Sequence, residues 1–200
     1  MVAVLAVAAT LAAATKFKST WKSPEAGAVT LAGQKVAALV IDKDESLRVA
    51  GEEGLARELT ERGLQGVASY RIVPKEELRD VDKARGWYER SGVQGVVALR
   101  VVSDDKRKTW SPSVWATPYY TSFWGYYGYG WGSLYDPGYV RVDRVVALET
   151  LIYSVPKDKL LWAGVSETDN PKDAASVIAD VVKAAVRELQ KQGLARNIKK

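Results

Sequence analysis

The chain of 200 residues contains neither histidine nor cysteine. Cysteine nucleophiles, iron–sulfur clusters, Cys/His zinc sites and His-dependent triads are thereby excluded. Any chemistry falls to carboxylates, Lys, Tyr, Ser and Thr. The densest carboxylate group is Asp42, Asp44 and Glu45, just past the apolar run 35–41. Open α/β sheets place their sites beyond strand carboxyl ends, and three oxygen donors can hold Mg²⁺ or Ca²⁺. The same spacing makes Asp44 a helix N-cap with Glu45 in the first turn, which needs no further assumption and is the preferred reading. Glu52 with Glu53, and Glu76 with Glu77, read as solvated helix faces. No acid/base pair or activated nucleophile can be nominated, so the expectation is a protein that is not an enzyme, with no cofactor and no metal site.

Binding chemistry concentrates elsewhere. Segment 109–139 holds 12 of the 19 aromatic residues, five glycines, three prolines and a single charge, Asp136. Tyr and Trp offer flat apolar faces with a polar edge, which suits sugar rings, grooves on a partner protein and the headgroup layer of a membrane. The candidate contact residues are Trp115, Tyr119, Tyr120, Trp124, Tyr126, Tyr127, Tyr129 and Trp131. A connection this long is either functional or a low-complexity insertion that is disordered or folds back on its own hairpin. As a binding element it should be made mobile by its glycines, keep its rings partly exposed, and tolerate deletion of 112–138 without loss of the fold. The spacing Gly125-x-x-Gly128-x-Gly130-x-Gly132 has the glycines of a phosphate loop but lacks the following Lys-Ser/Thr and the strand-to-helix context, so it carries little weight.

The elements that position this segment follow from periodicity. Run 35–41 reads as a buried strand, and 45–62 as a helix with Leu47, Ala50, Leu55 and Leu59 inward and Arg48/Glu52 as a surface pair. A short strand 68–73 stops at Pro74, a charged helix spans 75–91, and a third strand spans 93–103. Strands 140–153 and 160–168 form an antiparallel hairpin about the Pro156 turn, with Trp162 expected to be buried. Asn170 as N-cap and Pro171 open a last helix with Ala174, Ile178, Val181, Ala185 and Leu189 inward, ended by Gly193. The expected fold is a single α/β (α+β) domain with a mixed sheet of about five strands, in the order β-α-β-α-β-β-β-α, with helices mainly on one face. The domain spans 35–194, preceded by a signal-like segment 1–15 and a linker 16–34, and followed by a basic tail 195–200.

The net charge of +5 lies in the tails: residues 1–22 and 191–200 carry seven bases and no acid, leaving 22 bases against 24 acids between them. A slightly acidic body lacks the basic groove that phosphate neutralisation needs, so nucleic acid is excluded as a partner, while the tails and the aromatic segment suit a membrane surface. Residues 1–15 read MVAVLAVAATLAAAT, an uncharged run of signal-peptide length ending in an A-x-A pattern. A lysine- or arginine-rich leader does not precede it, and a buried terminal helix or strand is the alternative.

Several stretches resemble a group of small bacterial cell-envelope lipoproteins of unknown function. They are Glu45-Ser-Leu-Arg48 through Leu59, Ser69-Tyr70 with Pro74, and above all Leu151-Ile-Tyr153, Lys159-Leu-Leu-Trp162-Ala-Gly164 and Glu167-Thr168. The hairpin is also similar to the α/β modules of outer-membrane assembly lipoproteins and of the amino-terminal domain of the Tol–Pal translocation protein. Such lipoproteins carry a lipobox cysteine where this chain has Ala13 and Ala14. The resemblance implies a periplasmic or outer-membrane-associated, non-catalytic interaction module, partnered by an envelope protein. The alternative is a module that binds glycan or peptidoglycan through the aromatic segment.

Overall fold

The structure is a computed structural model that describes residues 16–102, 115–132, 145–169, 174–191 and 193. The signal-like segment, the basic tail, the flanks 109–114 and 133–139 of the aromatic segment, and Asn170 and Pro171 lie outside the described residues. Six strands are described: β1 (Lys16–Lys22), β2 (Lys35–Ile41), β3 (Gln65–Ala68), β4 (Gly95–Val102), β5 (Val145–Ser154) and β6 (Lys159–Asp169). Five α-helices accompany them: α1 (Glu45–Glu61), α2 (Val81–Ser91), α3 (Pro118–Thr121), α4 (Phe123–Gly132) and α5 (Ala174–Lys191). They build one α+β domain around a mixed sheet of order β1-β6-β5-β4-β2-β3. β2 runs parallel to β3 and β4 through the α1 and α2 crossovers, whereas β4, β5, β6 and β1 pair antiparallel.

The sheet is buried on both faces because its central strands are apolar at both parities. Val36, Ala38 and Val40 of β2 join Val97, Leu99 and Ile152 beneath Leu55 and Leu59 of α1 and Val181 and Val186 of α5. This is the helical face that periodicity predicts. Ala37, Leu39 and Ile41 point the other way, with Ala98, Leu151 and Tyr153, and meet α2 together with the aromatic residues of α3 and α4. The second face is therefore roofed by the insertion.

The sixth strand, β1, falls inside the stretch expected to be a linker. Its alternation of half-buried Phe17, Ser19 and Trp21 with exposed Lys18, Thr20 and Lys22 is a period-2 pattern too short and too basic to read as a strand alone. A register shift between Phe17 and Ser19 sends Phe17 to the α5 side and Trp21 to the aromatic side. Phe17 meets Trp162 edge-on, ring centroids 5.1 Å apart, and Trp162 is buried as expected. Gly164 makes that packing possible, since a Cβ there would lie 2.3 Å from the Trp162 ring.

Two boundaries move. The strand expected at 68–73 is instead β3, three residues earlier in onset, followed by a 3-10 turn over Ser69–Arg71. Gly66 hides it from propensity, but a Cβ at Gly66 would stand 2.0 Å from the Ala56 carbonyl oxygen, so glycine is what lets β3 lie against α1. The helix expected at 75–91 splits into a 3-10 turn, Lys75–Glu77, and α2, because Asp80 caps the backbone N–H groups of Asp82 and Lys83 and restarts the helix.

Candidate functional site

Arg100 on β4 and Glu149 on β5 are directly paired residues of the antiparallel ladder, on the face that the insertion covers. Each is the lone charge on an otherwise apolar strand face, Val96-Ala98-Arg100-Val102 and Ala147-Glu149-Leu151. Arg100 Nη2 donates to Glu149 Oε2 at 3.1 Å, and Nε donates to the same oxygen at 3.3 Å. Tyr126 O–H donates to Glu149 Oε2 at 3.3 Å, and Trp115 Nε1 to Oε1 at 3.4 Å. Arg100 Nη2 also donates to the Tyr120 hydroxyl at 3.3 Å, and Tyr153 O–H donates to the Tyr120 carbonyl at 2.9 Å. Burial pushes the Glu149 carboxyl above its ordinary value, opposed by the Arg100 charge and by these donors. Burial alone would lower the Arg100 pKa, but Tyr126, Glu149 and Tyr120 around it carry it upward instead. Burial likewise raises the Tyr120 and Tyr126 hydroxyls, so both stay protonated as donors.

A buried ion pair of this kind is stable only if its remaining hydrogen-bonding capacity is filled, which is what the insertion supplies. Pro118 opens α3, and the Asp158 carboxylate, reaching from the β5–β6 turn, accepts from Ser122 Oγ at 2.7 Å and from the Trp124 backbone N–H at 3.2 Å. A carboxylate at a helix amino end suits the helix dipole. Asp158 itself holds a positive φ of 47°, a conformation that Asp tolerates better than most residues. Two glycines of α4 serve close packing: a Cβ at Gly130 would sit 2.5 Å from Ile41 Cδ1, and one at Gly128 3.0 Å from Val81 Cγ2.

The eight candidate contact residues are thus brought together, but most of them inward. Trp115, Tyr120, Trp124, Tyr126, Tyr127 and Trp131 are buried, contrary to the expectation that the rings remain partly exposed, because the second sheet face is apolar and these rings cover it together with α2. Tyr127 O–H is spent on the Leu78 carbonyl at 2.8 Å. Only Tyr119 and Tyr129 face solvent, 61% and 38% exposed, and they are the exposed large hydrophobic residues among the described ones. Their rings lie 5.6 Å apart at an interplanar angle of 32°, and Arg100 approaches the Tyr129 ring to 4.9 Å. Of the glycines expected to make the segment mobile, Gly125, Gly128, Gly130 and Gly132 are found in helix α4, and Gly138 lies outside the described residues.

A second buried carboxylate, Glu52, was expected on a solvated face and is instead fully buried. β3 stops at Ala68, so the outer edge of β2 beyond that point has no strand to pair with. Glu52 fills the gap: Oε1 accepts from Val40 N–H at 3.3 Å and Oε2 from Tyr70 N–H at 2.7 Å, with Arg48 Nη1 3.5 Å away. Burial pushes its carboxyl up to about 7, against the pull of these donors. The inner stripe of α1 is accordingly rotated in its first half, with Arg48, Gly51 and Glu52 buried where Leu47 and Ala50 were expected. Gly51 admits the rotation, a Cβ there lying 3.1 Å from both Val40 and Ile178 side chains.

The acidic group past β2 behaves as a cap. Asp44 accepts from the backbone N–H groups of Ser46 at 2.8 Å and Leu47 at 3.1 Å, and Asp42 accepts from Asp44 N–H at 2.7 Å. Glu45 pairs with Lys75, which holds its carboxyl below the usual value.

Sequence reasoning missed Arg100, Glu149, Asp158 and the burial of Glu52. The available signal was parity: a strand with apolar residues on both faces is covered on both, so any charge within it is buried and needs a partner.

No protein-family model matches the chain, and no curated protein matches it in sequence. Among solved structures it is similar to the PelC dodecamer from Paraburkholderia phytofirmans, at 12% identity and a TM-score of 0.47 over 90% of this chain and 97% of that one. It is also similar to lipoprotein GNA1162 from Neisseria meningitidis, at 16% identity and a TM-score of 0.35 over 80% of this chain and 99% of that one. No helix among the described residues is long and apolar enough to cross a membrane.

Proposed function

We propose that this chain is a non-catalytic interaction module of the bacterial cell envelope, exported by its apolar segment 1–15, whose contact surface is centred on Tyr119 and Tyr129. The observation that carries the reading is the placement of those two rings. They are adjacent, exposed, and fixed on short helices whose other aromatics are spent in the core. Rigid aromatics make contact area at low entropic cost, which is the usual property of a binding anchor. The non-catalytic part rests on commitment of the buried acids. Glu149 and Glu52 each accept hydrogen bonds on both oxygens from groups of the fold itself, which leaves neither placed to take a proton from a substrate.

The partner is an envelope protein, with peptidoglycan as the second arm of the test. Full-length chain expressed in a Gram-negative host should fractionate with the periplasm or the outer membrane, shortened by about the first fourteen residues. Purified protein should then be captured by envelope extract, and Tyr119→Ser/Tyr129→Ser should abolish capture without changing the melting temperature. Capture by purified sacculi would identify the partner as glycan. Cytoplasmic retention of an unshortened chain, or capture that survives the double substitution, would overturn the reading.

A further inference from the structure

Two clefts flank β3, and their chemistry differs. One, between α1 and β3, is lined by Glu53, Glu61, Arg57 and Arg71 and is balanced in charge. The other, about 340 Å³, lies between β3 and the carboxyl end of α2, and its lining includes Lys35, Arg71, Arg90, Trp87, Val67 and Ile72 with no acidic residue. In a body where acids outnumber bases, a cleft that gathers three bases is a departure that composition does not explain.

The bases are also held in place. Lys35 Nζ donates to the Ser91 carbonyl at 2.8 Å, and Arg71 is tied to Glu53 at 2.7 Å and to the Tyr70 hydroxyl at 3.1 Å. The guanidinium carbon of Arg90 stands 4.4 Å from the centroid of the Trp87 ring. Trp87 is fixed in turn by its Nε1–H, which donates to Glu77 at 2.6 Å. Glycine at position 86 is unfavourable within a helix, yet a Cβ there would lie 3.1 Å from Arg90 Nη1, so its absence leaves room for the stacked guanidinium. A guanidinium stacked on an indole keeps its in-plane N–H groups outward, pre-organised for a carboxylate.

We propose that this cleft is a binding site for a sugar ring bearing a carboxylate, with Arg90 and Lys35 holding the carboxylate and Trp87, Val67 and Ile72 lining the apolar wall against which the ring rests. An extended acidic peptide fits less well. It would dock by adding to the β3 edge, where the Gly66 N–H is already taken by Thr60 Oγ1 at 3.2 Å. The site lies at the amino end of β2, whereas Tyr129, with Tyr119 beside it, lies against Arg100, which pairs with the carboxyl end of the same strand, so it is independent of the contact surface proposed above.

The test is calorimetric titration of the full chain with trigalacturonate, its methyl ester, a hexaglutamate peptide and inorganic phosphate. Trigalacturonate should bind with an affinity that falls as salt rises, and its ester should not bind. Arg90→Ala and Arg90→Gln should each weaken binding by about tenfold or more, the loss of a charge-assisted hydrogen bond, with unchanged melting temperature. Tyr119→Ser/Tyr129→Ser should leave this binding intact, which separates its fate from that of the contact surface. Equal affinity for the ester, tighter binding of hexaglutamate or phosphate, or no binding of trigalacturonate at millimolar concentration would overturn the proposal.

Discussion

Removing one partner of the Arg100–Glu149 pair strands the other in an apolar layer. Arg100→Met and Glu149→Leu should each destabilise by about 3 to 5 kcal/mol, whereas the double substitution should cost clearly less than the sum of the two, because it leaves no unpaired buried charge and only the Tyr126 O–H and Trp115 Nε1–H donors lose their acceptor. Urea unfolding of the four proteins measures this directly, and additive losses would show that the two charges do not act as a unit. Glu52 makes a different prediction, about pH. Its folded pKa is raised to about 7 from an ordinary 4.5, so the folded state binds the proton more tightly than the unfolded chain does. Its contribution is present in full below about 4.5 and is lost as pH rises towards 7. Glu149 shifts in the same direction, so the informative quantity is a difference. The urea midpoint of wild type should fall between pH 4.5 and 7 more steeply than that of Glu52→Gln, and parallel profiles would show that Glu52 titrates normally.

At the scale of elements, legibility followed parity and period. β2 and the start of α1 could be read from an unbroken apolar run and a cap, and the β5–β6 hairpin from its alternation about the Pro156 turn. β3 could not, because its defining residue, Gly66, is selected by the approach of α1 and carries no local strand signal. The aromatic segment was legible as exceptional but not as core, since composition suitable for a binding surface is equally suitable for a buried layer. What decides between them is the second sheet face, visible only once strands are paired. Deleting 112–138 should therefore abolish cooperative unfolding, as it strips the rings from Ile41, Leu151 and Tyr153 and strands Glu149. Circular dichroism melting tests it, and a cooperative transition near that of wild type would restore the dispensable-loop reading. Trp162→Ala, on the opposite face, should cost about 3 to 5 kcal/mol while leaving α3 and α4 in place.

The molecule as a whole joins two layers of different kinds on one sheet: a helical layer of α1 and α5, and an aromatic layer that completes the core and, among the described residues of the segment, turns only the Tyr119 and Tyr129 rings outward. On the proposed function, contact is made by what the second layer leaves exposed rather than by its aromatic content. Residue-resolved acetylation of the native protein with N-acetylimidazole, read by mass spectrometry, tests this most directly, because the reagent modifies only accessible phenols. Tyr119 and Tyr129 should be modified rapidly while Tyr120, Tyr126, Tyr127 and Tyr153 stay protected until the chain unfolds. Modification of Tyr126 and Tyr127 at the same rate as Tyr119 in the folded protein would contradict the account, since it would mean that the aromatic segment stands off the sheet.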